Sequence, residues 1–324
     1  MKYRIHKRAE TKPDGRKIYY YTFDRAEASQ QTSHEPTPSP GRHTRQGARL
    51  STHSSRFSQI NPTTGILPQQ RERSSMATIR VTVWDENPPH VDKAIYPTSI
   101  RGAVADGLAK LNDGTLEIRT AHLDEPEQGC SMERLRETDV LLWWGHIRHD
   151  EVSDETAERV RQRIHHEGMG LLVLHSGHYS KPFQRVLGCT GHLKGGWREK
   201  HPAEPEHVRV CAPQHPIAQG VDDFIIEHEE MYGAPFDTPP PLVVVFQSYF
   251  PDGGEYFPTG LCWTVGDGID PNFTSGPGNG VNQGYGIGRV FYFRPGHESV
   301  PTYHHPIVQR IIYNGVLWCA KRTG

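Results

Sequence analysis

The stretch that decides the fold reads LLWWGHIRH and occupies Leu141–His149. A near repeat, LLVLHSGH, follows at Leu171–His178. Each is an apolar run of strand length that leads into a His-x-x-His quartet, the first at His146–His149 and the second at His175–His178. Such runs are typical of parallel strands buried on both faces, and the residues after them lie at the carboxyl edge, where open α/β sheets bind ligands. The two quartets are therefore predicted to face one crevice.

Strand-like and helix-like segments alternate around these two runs. Apolar residues recur at helical spacing between Tyr96 and Leu111, and a second helix is predicted from Ser153 to Glu167, where Gly168 ends it. This alternation predicts an α/β domain with a doubly wound, mostly parallel sheet. The strands are predicted at residues 79–84, 116–123, 139–144, 170–174, 206–210, 224–227, 242–247, 261–265 and 289–293, and the other helices at 132–137, 181–187 and from Pro306 onward.

The amino-terminal part of the chain has a different composition. Residues 3–9 and 17–23 are predicted to pair as a hairpin around a turn at 12–15. Residues 26–75 are rich in Ser, Thr, Pro, Gln, Arg and His without periodicity, which is typical of disorder. We expect a largely disordered extension over residues 1–75 and the main domain over 76–324. Met76 is a candidate translation start, which would leave the extension outside the native protein.

Length, charge and cysteine content narrow the class of protein. A chain of 324 residues can bury a core without disulfides, and its five cysteines show no Cys-x-x-Cys spacing, which favours a reducing compartment. A net charge of -2 gives no electrostatic footprint for nucleic acid or for an acidic membrane. We find no secretory signal or membrane-spanning run. The sequence thus predicts a cytoplasmic protein with a small-molecule ligand.

The histidine quartets offer ligands for a metal ion. Neutral imidazoles bind zinc and other first-row divalent ions, and carboxylates complete such sites. The predicted metal ligands are His146, His149 and His178, with zinc or manganese as the candidate ion, and His175 belongs to the same pattern. The alternative is that these histidines hydrogen-bond one another at the strand ends, because His-x-x-His outside a helix is not specific for a metal.

Acid-base chemistry is the second interpretation of the same residues. Histidine titrates near neutral pH, and burial can raise the pKa of a glutamate toward it. The candidate catalytic residues are His146, His178, Glu230 and His297, although a solvated loop charge would explain Glu230 equally well. Aromatic rings and polar side chains also suit a polyhydroxylated ligand, with loop packing as their alternative role. The candidate substrate-binding residues are Trp144, Trp197, Glu199, Tyr232, Tyr303 and His304.

Two other kinds of site find little support in the sequence. Ser176 follows the fourth predicted strand as a nucleophile would, but its surroundings lack the full Gly-x-Ser-x-Gly pattern. The Gly-rich insertion at 266–288 lacks the Gly-Lys-Ser/Thr of a phosphate loop. We therefore do not expect serine hydrolysis, and we predict that the insertion is a surface loop or a lid.

Motifs spread over residues 77–320 resemble the trehalose utilisation family ThuA, whose fold is similar to the flavodoxin-like fold of class I glutamine amidotransferases. The resemblance implies a sugar-catabolic role on trehalose or a related disaccharide at the level of a 3-keto sugar. It also implies a sugar dehydrogenase as partner. The matching segments are Val81–Trp84, Leu142–His146 with His149, Leu174–Lys181, Trp197–Glu199, His215–Ala218, Glu229–Gly233, Gly254–Glu255 and Phe291–Glu298.

The resemblance also indicates which chemistry to expect. Class I glutamine amidotransferases carry a catalytic cysteine at the elbow after the strand that corresponds to Gly170–Leu174, and this chain has none there, which argues against glutaminase activity. We expect a keto-glycoside lyase, hydrolase or isomerase that uses acid-base or metal-assisted chemistry. The alternative is a non-catalytic carbohydrate-binding or regulatory partner of a sugar dehydrogenase. Whether the chain forms a homo-oligomer is left open.

Overall fold

The computed structural model describes residues 3–11, 17–25, 78–267 and 287–322. The chain divides into two compact units, residues 1–69 and 70–324. In the first unit, β1 (Tyr3–Thr11) and β2 (Lys17–Arg25) form the predicted antiparallel hairpin. The predicted turn at 12–15, nearly all of the predicted disorder and most of the insertion at 266–288 lie outside the described residues. The domain boundary at residue 76 stays a prediction.

The second unit alternates strands and helices in its first half and is mostly β in its second half. Helices and strands of the first half are β3 (Ile79–Asp85), α1 (Ile100–Leu111), β4 (Leu116–His122), α2 (Met132–Arg136), β5 (Val140–Trp144), α3 (Asp154–Glu167), β6 (Gly170–Leu174) and α4 (Lys181–Leu187). Those of the second half are β7 (Trp197–Arg198), β8 (Glu204–Val210), β9 (Phe224–Glu229), β10 (Met231–Tyr232), β11 (Val243–Phe250), β12 (Glu255–Val265), β13 (Gly288–Phe293) and α5 (Pro306–Cys319).

Nine of these strands form one central sheet in the order β4-β3-β5-β6-β13-β12-β11-β8-β9. The neighbours from β4 to β13 are parallel, and those from β13 to β9 are antiparallel. The predicted α/β class is confirmed, and the strands predicted at 206–210 and 224–227 belong to this sheet as β8 and β9. Both quartets lie in the parallel half, where neighbouring strands end at the same edge.

Local sequence signals account for the helix ends. The Ser153 side chain accepts a hydrogen bond from the Thr156 backbone N–H, and Gly168 ends α3 at a φ of 73°, as the sequence predicts. The first helix begins at Ile100 and not at Tyr96. Pro97 explains the difference, because a proline disfavours helical backbone at the residue before it.

The parallel strands are buried on both faces. In β5, Leu142 and Trp144 pack into a core that includes α1 and α5, whereas Leu141 and Trp143 pack into a second core that includes α2, α3 and α4. Among the described residues, no helix is long and apolar enough to cross a membrane. Helices therefore cover both faces of the parallel strands, and the loops that follow the strands lie at the edge where the strands end.

Candidate functional site

Three adjacent parallel strands, β5, β6 and β13, bring polar side chains to one edge of the sheet. His146 follows β5, His175 follows β6, and His297 with Glu298 follows β13. The ring centroids of the three histidines lie 5.0 to 5.4 Å apart. One ligand atom from each of the four residues lies within 4.8 Å of the others. We call these four residues the histidine cluster.

The backbone of His175 adopts a conformation that few non-glycine residues take. Its φ is 52°, in the left-handed region, at the turn directly after β6. The side chain is fully buried, and its Nδ1 lies 3.3 Å from the carbonyl oxygen of Arg294. Conformations of this kind persist only where the surrounding structure holds them, and they concentrate at functional sites.

Glu298 connects two histidines that are far apart in sequence. Its Oε1 lies 2.7 Å from His146 Nδ1 and 2.7 Å from His90 Nε2. The contact with His146 is an ion pair when the imidazole is protonated. Burial opposes the charge on Glu298, but the His146 contact outweighs it and lowers the pKa of Glu298 to about 2. The sequence gives no signal for His90, which lies 208 positions from its partner.

The charge on His146 is set by the same contact. Burial lowers its pKa, whereas Glu298, Glu230 and Glu86 raise it, and the net effect is a raised pKa. Glu86 also holds the loop backbone, since its carboxylate accepts hydrogen bonds from the N–H groups of Ile147 at 2.7 Å and Arg148 at 3.0 Å. The cluster thus favours a positive charge at His146.

A cavity of about 250 Å³ opens beside the cluster. The Trp197 side chain stands at its rim with 62% of its surface exposed. Of the predicted substrate-binding residues, three line this cavity. The full lining consists of His146, Ser176, Tyr179, Leu193, Trp197, Glu199, Glu230, Tyr232 and His297.

A larger cavity of about 350 Å³ lies at the opposite edge of the sheet, where β3 and β6 begin. Charged groups in its lining pair with each other, as Arg80 does with Asp139 at 2.7 Å and Arg163 with Glu167 at 2.5 Å. Ligands of open α/β sheets bind at the carboxyl ends of the strands. The smaller cavity is therefore the candidate site.

Glu230 is the carboxylate of the cavity. It is buried, its Oε2 has no hydrogen-bond partner among the described residues, and that atom lies 3.6 Å from His175 Nε2. Burial raises the pKa of Glu230 to about 7, although the nearby His146 works in the opposite direction. Near neutral pH this group can therefore exist in both protonation states.

A buried arginine holds Glu230 in place. Arg294, directly after β13, is fully buried and pairs with Glu206 and, at 3.4 Å, with Glu229. It also donates a 2.5 Å hydrogen bond to the carbonyl oxygen of Glu230. Arg294 lies within a predicted motif, but the sequence assigns it no role. It joins the end of β13 to β8 and to the chain between β9 and β10.

The sequence profile of the trehalose utilisation family, ThuA, matches residues 80–319. This chain belongs to the ThuA family. The matched residues include the whole histidine cluster and every residue that lines the candidate cavity. The family predicted from the motifs is therefore confirmed.

Solved structures similar to this ThuA-family chain share little sequence with it. A cytoplasmic protein from Salmonella typhimurium aligns with a TM-score of 0.45 and 15% identity, over 74% of this chain and 99% of that one. A glutamine amidotransferase from Thermotoga maritima aligns with a TM-score of 0.38 and 11% identity, over 76% of this chain and 99% of that one. No protein among the curated sequences compared with this chain matches it.

A small two-stranded sheet positions the rim of the cavity. β7 and β10 pair so that Trp197 lies opposite Tyr232. Just before β7, the Gly195 N–H donates to the carbonyl oxygen of Gly233 at 3.1 Å, and a Cβ on Gly195 would come within 2.5 Å of the Gly233 backbone. Only glycine permits this close approach, which keeps the loop bearing Trp197 and Glu199 beside the cavity.

The last histidine of each quartet lies away from the cavity. His178 is fully buried, its Nδ1 lies 2.7 Å from the carbonyl oxygen of Gly191, and burial lowers its pKa to about 3. His149 packs near Tyr179, and burial with the nearby His146 lowers its pKa to about 4. Neither residue lines the cavity.

The predicted metal ligands therefore differ from the group that the fold assembles. His146 belongs to it, but His149 and His178 are replaced by His175, His297 and Glu298. For His178 the reason is the 3₁₀ turn that spans His175–Tyr179: at a rise of about 2 Å per residue, the fourth residue of the quartet lies about 6 Å beyond the first. The donor set, three imidazoles and one carboxylate, suits a first-row divalent ion.

Three predicted substrate-binding residues do not line the cavity. Trp144 is buried in the core, and its Nε1–H donates to the carbonyl oxygen of Gly296 at 3.0 Å. Tyr303 is buried directly beneath Gly296. His304 is exposed and stacks on Tyr96 at 5.2 Å. Their side chains support the backbone around the site and do not face a ligand.

Ser176 lines the cavity without the environment of a nucleophile. Its hydroxyl lies 2.5 Å from the Tyr232 hydroxyl. Tyr232 in turn lies 3.4 Å from the His175 ring nitrogens. The described contacts therefore place no histidine on Ser176 itself, and the strained elbow position is occupied by His175.

Proposed function

We propose that this ThuA-family protein is a sugar-catabolic enzyme that acts on a disaccharide or on its 3-keto derivative. Its class would be keto-glycoside lyase, hydrolase or isomerase, and not glutaminase. The observation that carries the proposal is a polar cavity lined by Glu230, His146 and His297, in which Glu230 Oε2 lies 3.6 Å from His175 Nε2 of the histidine cluster. The family match supports a role in sugar metabolism.

The cavity fits one sugar ring with the remainder of the substrate outside. Its volume of about 250 Å³ is below the range of about 300–1,000 Å³ that holds drug-sized ligands. The exposed Trp197 at the rim offers an aromatic face for a second ring. Inside, Glu199, Ser176 and Tyr232 supply oxygen atoms that can hydrogen-bond to sugar hydroxyl groups.

The geometry supports proton transfer next to a carbonyl group. Glu230 would remove the proton from the carbon beside a 3-keto group, and the electron pair of that bond would form an enolate. The positive charge favoured at His146 would stabilise the enolate oxygen. Expulsion of the glycosidic oxygen, which leaves with a proton returned by an acid, completes an elimination that needs no oxidant or reductant. Return of the proton to a neighbouring atom would give isomerisation.

The partner and the location are also proposals. A 3-keto sugar arises by oxidation of a sugar hydroxyl group, so a sugar dehydrogenase would have to supply this substrate. We place both proteins in the cytoplasm, where such a dehydrogenase would find its nicotinamide cofactor. The near-neutral charge of -2 favours an uncharged carbohydrate ligand over nucleic acid or a membrane.

Turnover of a defined keto sugar tests the proposal. The purified full chain is incubated with 3-keto-trehalose or trehalose, and products are followed by NMR. We expect loss of the keto sugar and release of glucose, with a rate at least about 10²-fold lower in Glu230→Gln. The matched control is Glu227→Gln, at an exposed position of β9.

The same experiment separates the enzyme from a binding protein. Saturable binding of the keto sugar without turnover would overturn the catalytic proposal and favour a carbohydrate-binding partner of a sugar dehydrogenase. Neither binding nor turnover would overturn both interpretations.

A further inference from the structure

We propose that His146, His175, His297 and Glu298 bind one first-row divalent metal ion and that His90 holds Glu298 from the outside. This inference deepens the proposed function by naming a cofactor of the same site, and it rests on that function only for what the ion does in turnover. Because a ligating imidazole is neutral, the ion would supply the positive charge in place of a protonated His146 and would polarise a substrate carbonyl as a Lewis acid.

The donor set is complete and almost entirely buried. His175, His297 and Glu298 are each at most 6% exposed, and His146 is partly exposed on the cavity side. Their ligand atoms lie within 4.8 Å of one another. Three imidazoles and a carboxylate are ligand types found in zinc sites, and imidazole also suits other first-row ions. A Lewis-acid role would require one further coordination position that a substrate oxygen can take. The four ligands follow the ends of three different strands, β5, β6 and β13.

The cluster contains polar atoms that are buried from water and form no hydrogen bond within the described part of the chain. Glu298 Oε2 is buried without a hydrogen-bond partner among the described residues. His146 Nδ1 and Glu298 Oε1 lie 2.7 Å apart without hydrogen-bond alignment. Buried charged atoms are costly when unpaired. A cation between the four residues would satisfy these atoms together.

Contacts outside the cluster orient its rings as metal ligands are usually oriented. His175 Nδ1 lies 3.3 Å from the Arg294 carbonyl oxygen, and His297 Nδ1 lies 2.7 Å from Ser299 Oγ. Both contacts leave the Nε2 atom of the ring for the cluster. The His175 contact is of the kind by which metal-binding imidazoles donate their second ring N–H, whereas His297 Nδ1 accepts the Ser299 backbone N–H at 3.2 Å.

His90 is a positioning residue in this arrangement. Its Nε2 lies 2.7 Å from Glu298 Oε1, while its side chain remains 37% exposed. It is not one of the four residues whose ligand atoms converge. Partners of this kind fix the rotamer of a ligating carboxylate, and their loss typically weakens metal binding about 10–100-fold.

Direct titration of the full chain tests the metal centre. Chelator-treated protein is titrated by calorimetry with zinc ions and, separately, with manganese ions. We expect one equivalent of at least one ion to bind, with about 100-fold or greater loss in His297→Gln and Glu298→Gln and about 10–100-fold loss in His90→Gln. His166→Gln, at an exposed histidine of α3, is the matched control and binds as the wild type does. Circular dichroism verifies that each variant is folded.

Each outcome separates the metal centre from the proposed function. Folded wild-type protein that binds neither ion would overturn the centre, as would binding that the cluster variants leave unchanged. Keto-sugar turnover that persists in the presence of chelator would overturn the role of the ion while the enzyme proposal stands. Stoichiometric binding without turnover would support the centre and overturn the enzyme proposal.

Discussion

The first and last histidines of the two quartets have the same spacing in sequence but different environments. His146 and His175 lie 5.3 Å apart, measured between ring centroids, and both belong to the histidine cluster, of which His146 lines the polar cavity. His149, which is partly buried, and His178, which is fully buried, have lowered pKa values and belong neither to the cluster nor to the lining of the cavity. We infer that, in each quartet, the histidine nearer to the end of its strand joins the cluster. The His-x-x-His motif alone does not determine which histidines come close to one another.

The buried histidines have a structural explanation of their own. The His178 ring packs 4.1 Å from the Tyr179 ring, and its Nδ1 meets the Gly191 carbonyl oxygen. Gly191 has a φ of 63° and approaches so closely that a Cβ would collide with the His178 backbone. His178 therefore anchors the loop after α4, which leads to the rim of the cavity.

The largest effect that we predict is a difference in turnover between the two histidines of the first quartet. His146→Asn removes the side chain that would carry positive charge, or hold the ion, beside the reacting carbonyl and should lower kcat/KM for 3-keto-trehalose by about 10²–10⁴-fold. His149→Asn should change it by less than about tenfold. Steady-state kinetics on both variants, with thermal unfolding to verify the fold, measures the contrast. Equal losses of kcat/KM in the two folded variants would contradict the proposal that His146, and not His149, takes part in the reaction.

A smaller effect is predicted on stability from the second quartet. His178→Leu keeps an apolar side chain in place but leaves the Gly191 carbonyl oxygen unpaired, so the free energy of unfolding should fall by about 1–3 kcal/mol. Urea denaturation measures this change. The variant should still bind metal with the wild-type stoichiometry. Loss of metal without loss of stability would instead make His178 a ligand, as the sequence pattern predicts.

The smallest effect is a change of stability with pH. The folded-state pKa of His178 is about 3, below the usual value of 6.5, so its contribution is fully present above pH 6.5 and declines as the pH falls toward 3. One such histidine changes the free energy of unfolding by up to about 1.4 kcal/mol per pH unit. The stability gap between wild type and His178→Leu should therefore narrow by about 2 kcal/mol between pH 7 and 5. A gap that is constant with pH would show that His178 is not kept neutral by burial.

Much of the parallel half of the sheet can be predicted from the sequence, because its strands are short apolar runs. Gly168 and Ser153 give both ends of α3 correctly. The position of His175 relative to His178 cannot be predicted, because it depends on a positive φ and a 3₁₀ turn that no spacing rule specifies. His90 and Arg294 escape prediction for a similar reason: their roles arise from contacts with carboxylates that are distant in sequence.

Anomalous diffraction from crystals soaked in zinc tests the central claim most directly. The account predicts one strong peak at the zinc edge among His146, His175, His297 and Glu298, with Glu298 also in contact with His90. A peak beside His149 and His178, or no ordered zinc at the cluster in protein that is otherwise folded as described, would contradict it.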